Sequence, residues 1–501
     1  MKNEKNEDKE NQSKKRRPLI YIISIVLICM TTLFSIYIFL YKSEIIFKKG
    51  KISKPEQSEE WITIFTHGTF GCLLGLLNVV EVIQDNISGT NYKKLVNKVR
   101  NDDYFYKSQP MLQKGLIKFA PTFDLNSIGN KKYVVYPIAK SYDFFLNSIN
   151  ISSENNNFYT FGWSGLISQQ RRRKEAIRFY NQLSKEIEKY KQKGINPKIR
   201  IICHSHGGNL ALNLAGIKNV IKNLNNPETL KIIAKNNDEY DSLINIYQII
   251  KQLPNKPLEH TYKNSSQKNF DYIPNNNELV IDELVLLGTP IQQETEPFIF
   301  DNTFKNVFNF YSDEDFVQKI DWISTKKRYS FNRFNLLDIL LDKKNKTGFP
   351  KIIQAKIMFR PNIHKNLNKT FTTNQPTASF WSSFFSFKRK NLDPTHKELW
   401  FASWENEDYL NPLPIVVLTP IFLNMIKKLK NNFDDIDINI NFSDKKMKLY
   451  VFQHNKLLVE DKISIPISTL NEIKTKFFVW KPEDVSSSTE FNIIKKHSSC
   501  L

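Results

Sequence analysis

Cysteine is scarce in this 501-residue chain, and the four residues, at positions 29, 72, 203 and 500, are too few and too scattered to staple a disulfide-held fold. They neither argue for export nor contradict it. No internal repeat is evident, which excludes a solenoid or propeller. No nucleic-acid motif and no interleaved basic–aromatic patch occurs, so the net charge of +21 is not read as a nucleic-acid surface. The charge is spread over many lysines among abundant Asn and Ile, and such a surface suits anionic lipid headgroups. A small-residue cleavage site is missing as well. Tyr41-Lys42-Ser43-Glu44 is a poor signal-peptidase site, and Cys29 follows Ile28 rather than the small residue a lipoprotein site requires.

What is present near the N-terminus is one long apolar run, Leu19–Tyr41. Its 23 residues, at 1.5 Å each, span about 34 Å, enough for a bilayer. Lys14-Lys15-Arg16-Arg17 precede it and favour an inside N-terminus with the rest of the chain exported to a periplasmic, extracellular or lumenal side. Lys48, Lys49, Lys51 and Lys54 on the other flank oppose that orientation. The expected organisation is a basic cytoplasmic tail (1–18), a single transmembrane helix (19–41), a linker (42–60), a large domain (61–431) and a β-rich C-terminal appendage and tail (432–501).

The chemistry concentrates in Ile199–Ile217. A β-branched run (Ile199, Ile201, Ile202) passes through Cys203-His204-Ser205-His206-Gly207-Gly208 into a helical pattern. Strand, sharp turn and helix with serine at the apex is the layout of a nucleophile elbow, which exposes a strained serine hydroxyl above a sheet. The turn requires small residues two before and two after the serine, and Cys203 and Gly207 occupy those places. Cysteine stands where glycine is usual, a small steric departure. His204 and His206 adjoin Ser205 too closely to act as its base and are expected to line the pocket or brace the elbow.

Upstream, Trp61–Thr66 reads as a strand ending in His67-Gly68-Thr69, a loop placed to give half of an oxyanion hole. Backbone N–H groups of Thr69 and His206 are the expected donors to a developing oxyanion. Downstream, the apolar strand Leu279–Leu287 ends in Gly288-Thr289-Pro290, and Val307–Tyr311 ends in an acidic loop. Asp315, followed by Phe316-Val317, is the preferred triad carboxylate, and Asp313 the alternative. The histidine must come later still. His396, in a Pro-containing turn before an apolar segment, is the preferred base, and His364, after the strand Lys356–Arg360, the alternative.

This set of motifs resembles the lipase/esterase branch of the α/β-hydrolases over roughly residues 61–430. The resemblance implies an α/β fold with a mostly parallel sheet, helices on both faces, and a Ser…Asp…His order along the chain. It implies a serine hydrolase that cleaves acyl esters through an acyl-enzyme, without metal or organic cofactor. The expected partners are an acyl-ester or lipid substrate and the membrane, with no nucleic acid. An acyltransferase or thioesterase using the same triad, and a non-catalytic scaffold of this type, are the competing functions.

Other segments read as additions. Phe70–Val82 is apolar enough for a buried helix or a wall of the acyl pocket. Residues 222–277 read as an excursion or cap over the site, and 371–391, with Phe380, Trp381, Phe384 and Phe385, as a lipid-contacting lid or a loop folded on the core. Ser164, in Gly162-Trp163-Ser164-Gly165-Leu166, is not a second elbow because Leu166 is too bulky. Thr419–Lys430 suits a helix capped by Thr419 with Pro420 in its first turn.

Overall fold

Apolar residues alternate between the two faces of each central strand, so every one of these strands needs cover on both sides. In β4 (Lys198–His204), Ile199, Ile201 and Cys203 enter one core while Ile202 enters the other. In β5 (Ile281–Leu287), Leu284 and Leu286 oppose Val285 and Leu287 in the same way. A computed structural model describes residues 59–68, 115–118, 135–148, 154–163, 169–252, 279–315, 317, 321, 330–335, 350–361, 393–396, 398–400, 413–429, 433–443, 446–460 and 465–477.

Among these residues eleven strands join into one sheet. Beside β4 and β5 stand β1 (Glu59–Thr66), β2 (Gly115–Lys118), β3 (Glu154–Gly162), β6 (Phe304–Tyr311) and β7 (Lys351–Pro361). The C-terminal region adds β8 (Phe433–Ser443), β9 (Lys446–Gln453), β10 (Lys456–Glu460) and β11 (Ile465–Pro466). The order is β10-β9-β8-β7-β6-β5-β4-β1-β3-β2, with β11 paired to β9. Pairing is parallel from β3 across to β8, and antiparallel where β2 meets β3, β9 meets β8, and β10 and β11 meet β9.

Helices α2 (Gln169–Lys191), α3 (His206–Lys222) and α5 (Asn237–Gln252) cover one face, over Ile201, Leu286 and Val307. Helices α1 (Val135–Ser148), α6 (Thr419–Ile426) and α7 (Ile467–Phe477) cover the other, over Phe65, Ile202 and Phe308. The short α4 (Thr229–Ile233) precedes α5. Helix α3 is buried almost all round, and Leu210, Leu212, Leu214 and Ile217 are fully enclosed. Each such side chain contributes about 1.5–3 kcal/mol of burial, which fixes α3, and with it the turn at its start, against the sheet.

The chain leaves β1 towards β3 on one side and returns as β4 on the other. Connections therefore diverge at the C-terminal ends of β1 and β4, where a crevice forms in open parallel sheets.

The expected fold class is overturned. In place of an α/β-hydrolase fold carrying a transmembrane helix and a separate β-rich appendage, the described residues form one mixed, eleven-stranded sheet with seven α-helices. Among the described residues the expected appendage is not separate, because β8 pairs parallel with β7 from Phe433 to Phe442. The physical reason is the alternation of Ile436, Ile438 and Ile440, whose buried face joins the core shared with Phe308 and Phe359 rather than one of its own. No described helix is long and apolar enough to cross a membrane, and Leu19–Tyr41 lies outside the described residues.

Two smaller expectations change as well. The described part of the 222–277 segment packs through Leu243, Ile246 and Ile250 into the core with α2 and α3, as a helix layer. Thr419 does not cap its helix. It is the first helical residue, and its hydroxyl donates back to the Val416 carbonyl at 2.6 Å, within the 3-10 turn Ile415–Leu418 that runs into α6.

Candidate active site

Ser205 joins β4 to α3 with φ 52° and ψ −132°, a backbone region L-residues rarely occupy. The only other described non-glycine residues at positive φ are His454 and Asn455, in the turn of the β9–β10 hairpin. Such a conformation costs about 1–3 kcal/mol and persists only where its surroundings hold it. Here the Ser205 N–H donates to the Leu287 carbonyl at 2.9 Å, extending the β4–β5 pairing by one residue.

Close packing explains the glycines. A Cβ on Gly68 would stand 2.6 Å from the Ser205 Cβ, and one on Gly207 would stand 2.6 Å from the His67 carbonyl oxygen. A Cβ on Gly208 would collide with the Thr289 side chain. Cys203 is fully buried, and burial pushes its thiol pKa up, so it stays protonated and is no rival nucleophile.

Asp315 follows β6, and its wholly buried carboxylate places Oδ2 2.8 Å from Nδ1 of His396. An ionised carboxylate only accepts, so Nδ1 carries the proton and Nε2 is left as the lone-pair nitrogen. Gly288, at φ +57°, is what allows this approach. A Cβ there would lie 2.7 Å from Asp315 Oδ2 and 3.1 Å from His396 Nδ1. Asp313, the alternative carboxylate, faces elsewhere and is paired with Lys356. His364 and Thr69 lie outside the described residues, as do 69–114, 362–392 and Ser164.

Three further histidines near the elbow, His204, His67 and His206, each have a proton position set by a partner. His204 Nε2–H donates to the His396 carbonyl at 3.0 Å. Its ring lies 4.6 Å from the His396 ring and stacks on Trp400 at 5.4 Å. Burial first, then the neighbouring His396, hold its pKa well below the ordinary histidine value, so it is neutral. His67 accepts the Trp163 backbone N–H at Nε2 (3.3 Å), donates from Nδ1 to the Gly68 carbonyl (2.7 Å) and stacks on the Trp163 ring. The Trp163 indole in turn donates to the His67 carbonyl at 2.7 Å, so Trp163 braces the His67-Gly68 loop from beneath.

His206, the first residue of α3, directs its ring to Asp321, with Nε2 2.8 Å from Oδ1. Burial outweighs the pull of Asp321 and lowers its pKa, so this contact is a hydrogen bond from a neutral ring to a carboxylate. The second Asp321 oxygen accepts from Gln292 Nε2 at 2.8 Å, and Gln292 Oε1 accepts from Arg172 Nη2 at 3.0 Å and Gln169 Nε2 at 2.7 Å. Arg172 is fully buried, and its pKa, lowered to about 10 mainly by burial, still leaves it cationic at neutral pH.

At one end of the sheet, then, the strained Ser205 follows His204, whose ring lies 4.6 Å from an imidazole that a buried carboxylate orients. The N-terminus of α3 lies at the same place, where the first helical N–H groups lack intrahelical partners. Such an arrangement can remove a proton from a hydroxyl and stabilise negative charge next to it. Sequence reasoning did not single out Asp321, Gln292, Arg172 or Trp400. Asp321 and Gln292 belong to no motif in the sequence, while Arg172 lies in the basic run Arg171-Arg172-Arg173, which looks like a solvated helix face. No group of three or more metal-binding side chains occurs among the described residues. Comparison with protein-family models, with curated proteins and with solved structures finds no match for this chain.

Proposed function

We propose that this chain is a serine hydrolase of the lipase or carboxylesterase type, cleaving acyl esters with Ser205 as nucleophile, His396 as base and Asp315 as its orienting carboxylate. The observation that carries the reading is the 2.8 Å His396–Asp315 pair, whose imidazole lies 4.6 Å from the ring of His204, the residue preceding the strained Ser205. In this reaction His396 Nε2 takes the Ser205 proton while Oγ bonds to the acyl carbon, and the carbonyl oxygen becomes an anion. Collapse breaks the ester bond, and the alcohol leaves with the proton returned by His396. Water then repeats the sequence and releases the acid. The His206 backbone N–H is one oxyanion donor and Thr69, outside the described residues, the second.

A lipid-type ester fits the apolar N-terminal run, through which attachment to a membrane would bring the domain to acyl substrates. The test is labelling of the full-length chain in detergent by a fluorophosphonate, followed by turnover on a panel of p-nitrophenyl and glyceryl esters. Labelling at Ser205 with release of free acid is expected. Absence of both for the folded chain would sink the reading, and acyl transfer to an added alcohol in preference to water would replace it with an acyltransferase.

A further inference from the structure

The chain after β6 supplies two buried carboxylates, six residues apart, to two histidines. Asp315 takes the His396 ring and Asp321 takes the His206 ring, each at 2.8 Å. Resting on the serine-hydrolase reading, we propose that the second pair, Asp321 and the His206 imidazole, is a positioning device for the oxyanion donor. It holds the strained Ser205–His206 peptide so that the His206 N–H stays aimed at the reacting carbonyl.

Three observations lead there. The direction of the His206 N–H is set by ψ of Ser205, and that residue sits at φ 52°, ψ −132°, where nothing intrinsic to the chain keeps it. The two residues that follow, Gly207 and Gly208, are glycines because Cβ atoms there would strike His67 and Thr289. Apart from the Gly208 N–H, which donates to the Ser205 carbonyl at 2.9 Å, the handle that the first turn of α3 offers next to the strained peptide is the His206 side chain.

That handle is anchored deeply. His206 and Asp321 side chains are 4% and 5% exposed. Asp321 is fixed in turn through Gln292 to Arg172 and Gln169. On the far side of the ring, Asn209 Nδ2 lies 3.4 Å from Nδ1 and donates to the Pro290 carbonyl at 2.8 Å. Thr295 then locks the Asn209 amide with a 2.6 Å hydrogen bond to its oxygen.

Burying an anion here costs several kcal/mol before its partners compensate, and an apolar pair of equal volume would fill the space without that cost. What the polar pair adds is direction. Because its proton-bearing nitrogen is committed to Asp321, the His206 ring does not serve as an acid or base, and Asp321 acts only through it. Asp321 is a positioning residue.

The experiment uses the full-length chain in detergent, with p-nitrophenyl butyrate as substrate and a trifluoromethyl ketone, whose serine adduct carries the oxyanion. His206→Leu and Asp321→Leu should each lower kcat about 10- to 100-fold, the scale set by a misdirected oxyanion donor. KM should stay within about threefold, and ketone affinity should weaken by the same factor as kcat/KM. The pH midpoint of kcat/KM should not move, because His396 keeps its own partner. His206→Gln, which retains an N–H directed at Asp321, should recover most of the loss. Folded leucine variants with kcat within threefold of the parent, or losses confined to KM, would overturn the assignment. Should the leucine variants not fold, Asp321→Ser withdraws the acceptor while keeping a small polar group, and unchanged kcat in it overturns the assignment equally. A parent chain that neither turns over ester nor binds the ketone would overturn the serine-hydrolase reading itself, and this inference with it.

Discussion

His396 Nδ1 and Asp315 Oδ2 stand 2.8 Å apart across 81 residues of sequence, with the carboxylate wholly buried and the imidazole 14% exposed. The asymmetry has a chemical meaning. Asp315 is a fixed acceptor that holds one proton on Nδ1, and the ring keeps an open edge on which Nε2 can exchange a proton with a substrate-bound serine. Gly288 lies beneath the pair and His204 against the ring, so β4, β5 and β6 all converge on one imidazole.

Removing any member of the proposed triad should collapse turnover while sparing the fold. Ser205→Ala and His396→Ala should each cost about 10⁶-fold in kcat, and Asp315→Asn about 10⁴-fold through loss of the productive tautomer. Asp313→Asn should be near neutral, because that carboxylate pairs with Lys356 and is about half exposed. Burst kinetics with p-nitrophenyl butyrate would measure all four. An Asp313 effect larger than the Asp315 effect would reassign the carboxylate.

Gly288→Ala tests the close approach directly. The added Cβ would lie 2.7 Å from Asp315 Oδ2 at a backbone φ of +57°, where alanine is strained in any case. The strain should cost about 1–2 kcal/mol of stability, and displacement of the carboxylate should lower kcat at least tenfold. A variant with parental kcat would show that the Asp315–His396 geometry tolerates movement.

Sequence made the elbow legible because its requirements are local: a β-branched run, a serine, small neighbours and a helix-forming stretch fall within about 20 residues. The His396–Asp315 pairing was accessible only by the order of motifs along the chain, since nothing near either residue encodes an 81-residue contact. Position alone left Asp313 and His364 open. Asp313 is set apart by its salt bridge to Lys356, which forms only when β6 and β7 pair. The region expected as a separate appendage, 432–501, joins the main sheet through its described strands for a related reason. Alternating isoleucines announce a strand but not its partner, and β8 finds its partner in β7. Asp321 was illegible because a buried carboxylate looks, in sequence, like any solvated one.

At the opposite end of the sheet, Glu283 should prove a stability residue without a role in turnover. It is 4% exposed and bonded by Arg200 Nε at 2.6 Å and Lys427 Nζ at 2.5 Å. Arg200 is itself 1% exposed and lies over the Trp61 ring at 4.1 Å, whereas Lys427 is 41% exposed. Arg200→Met should therefore strand a buried carboxylate at about 3–5 kcal/mol, while Lys427→Met should cost no more than about 1 kcal/mol. Denaturant unfolding would show the contrast, and kcat of both folded variants should match the parent. Equal costs would mean that solvent reaches Glu283 in solution.

His204 couples the site to acid stability, and its sign can be worked out. Burial and the nearby His396 keep it neutral in the folded chain well below the ordinary histidine value of about 6.5. Above pH 6.5 it is neutral whether folded or unfolded and contributes no pH dependence. Below that value the unfolded chain binds a proton the folded chain refuses, so stability falls as pH falls, by up to about 1.4 kcal/mol per pH unit. His204→Phe removes the titration while keeping a ring between His396 and Trp400. Relative to the parent, the variant should thus gain stability between pH 6.5 and 5, as read from urea midpoints at each pH. The same variant loses the Nε2–H donated to the His396 carbonyl, so kcat at pH 8 should fall about tenfold through a looser base loop. Parallel pH–stability curves for the two proteins would show that His204 titrates alike in both states, and the neutral, buried brace assigned to it here would have to be given up.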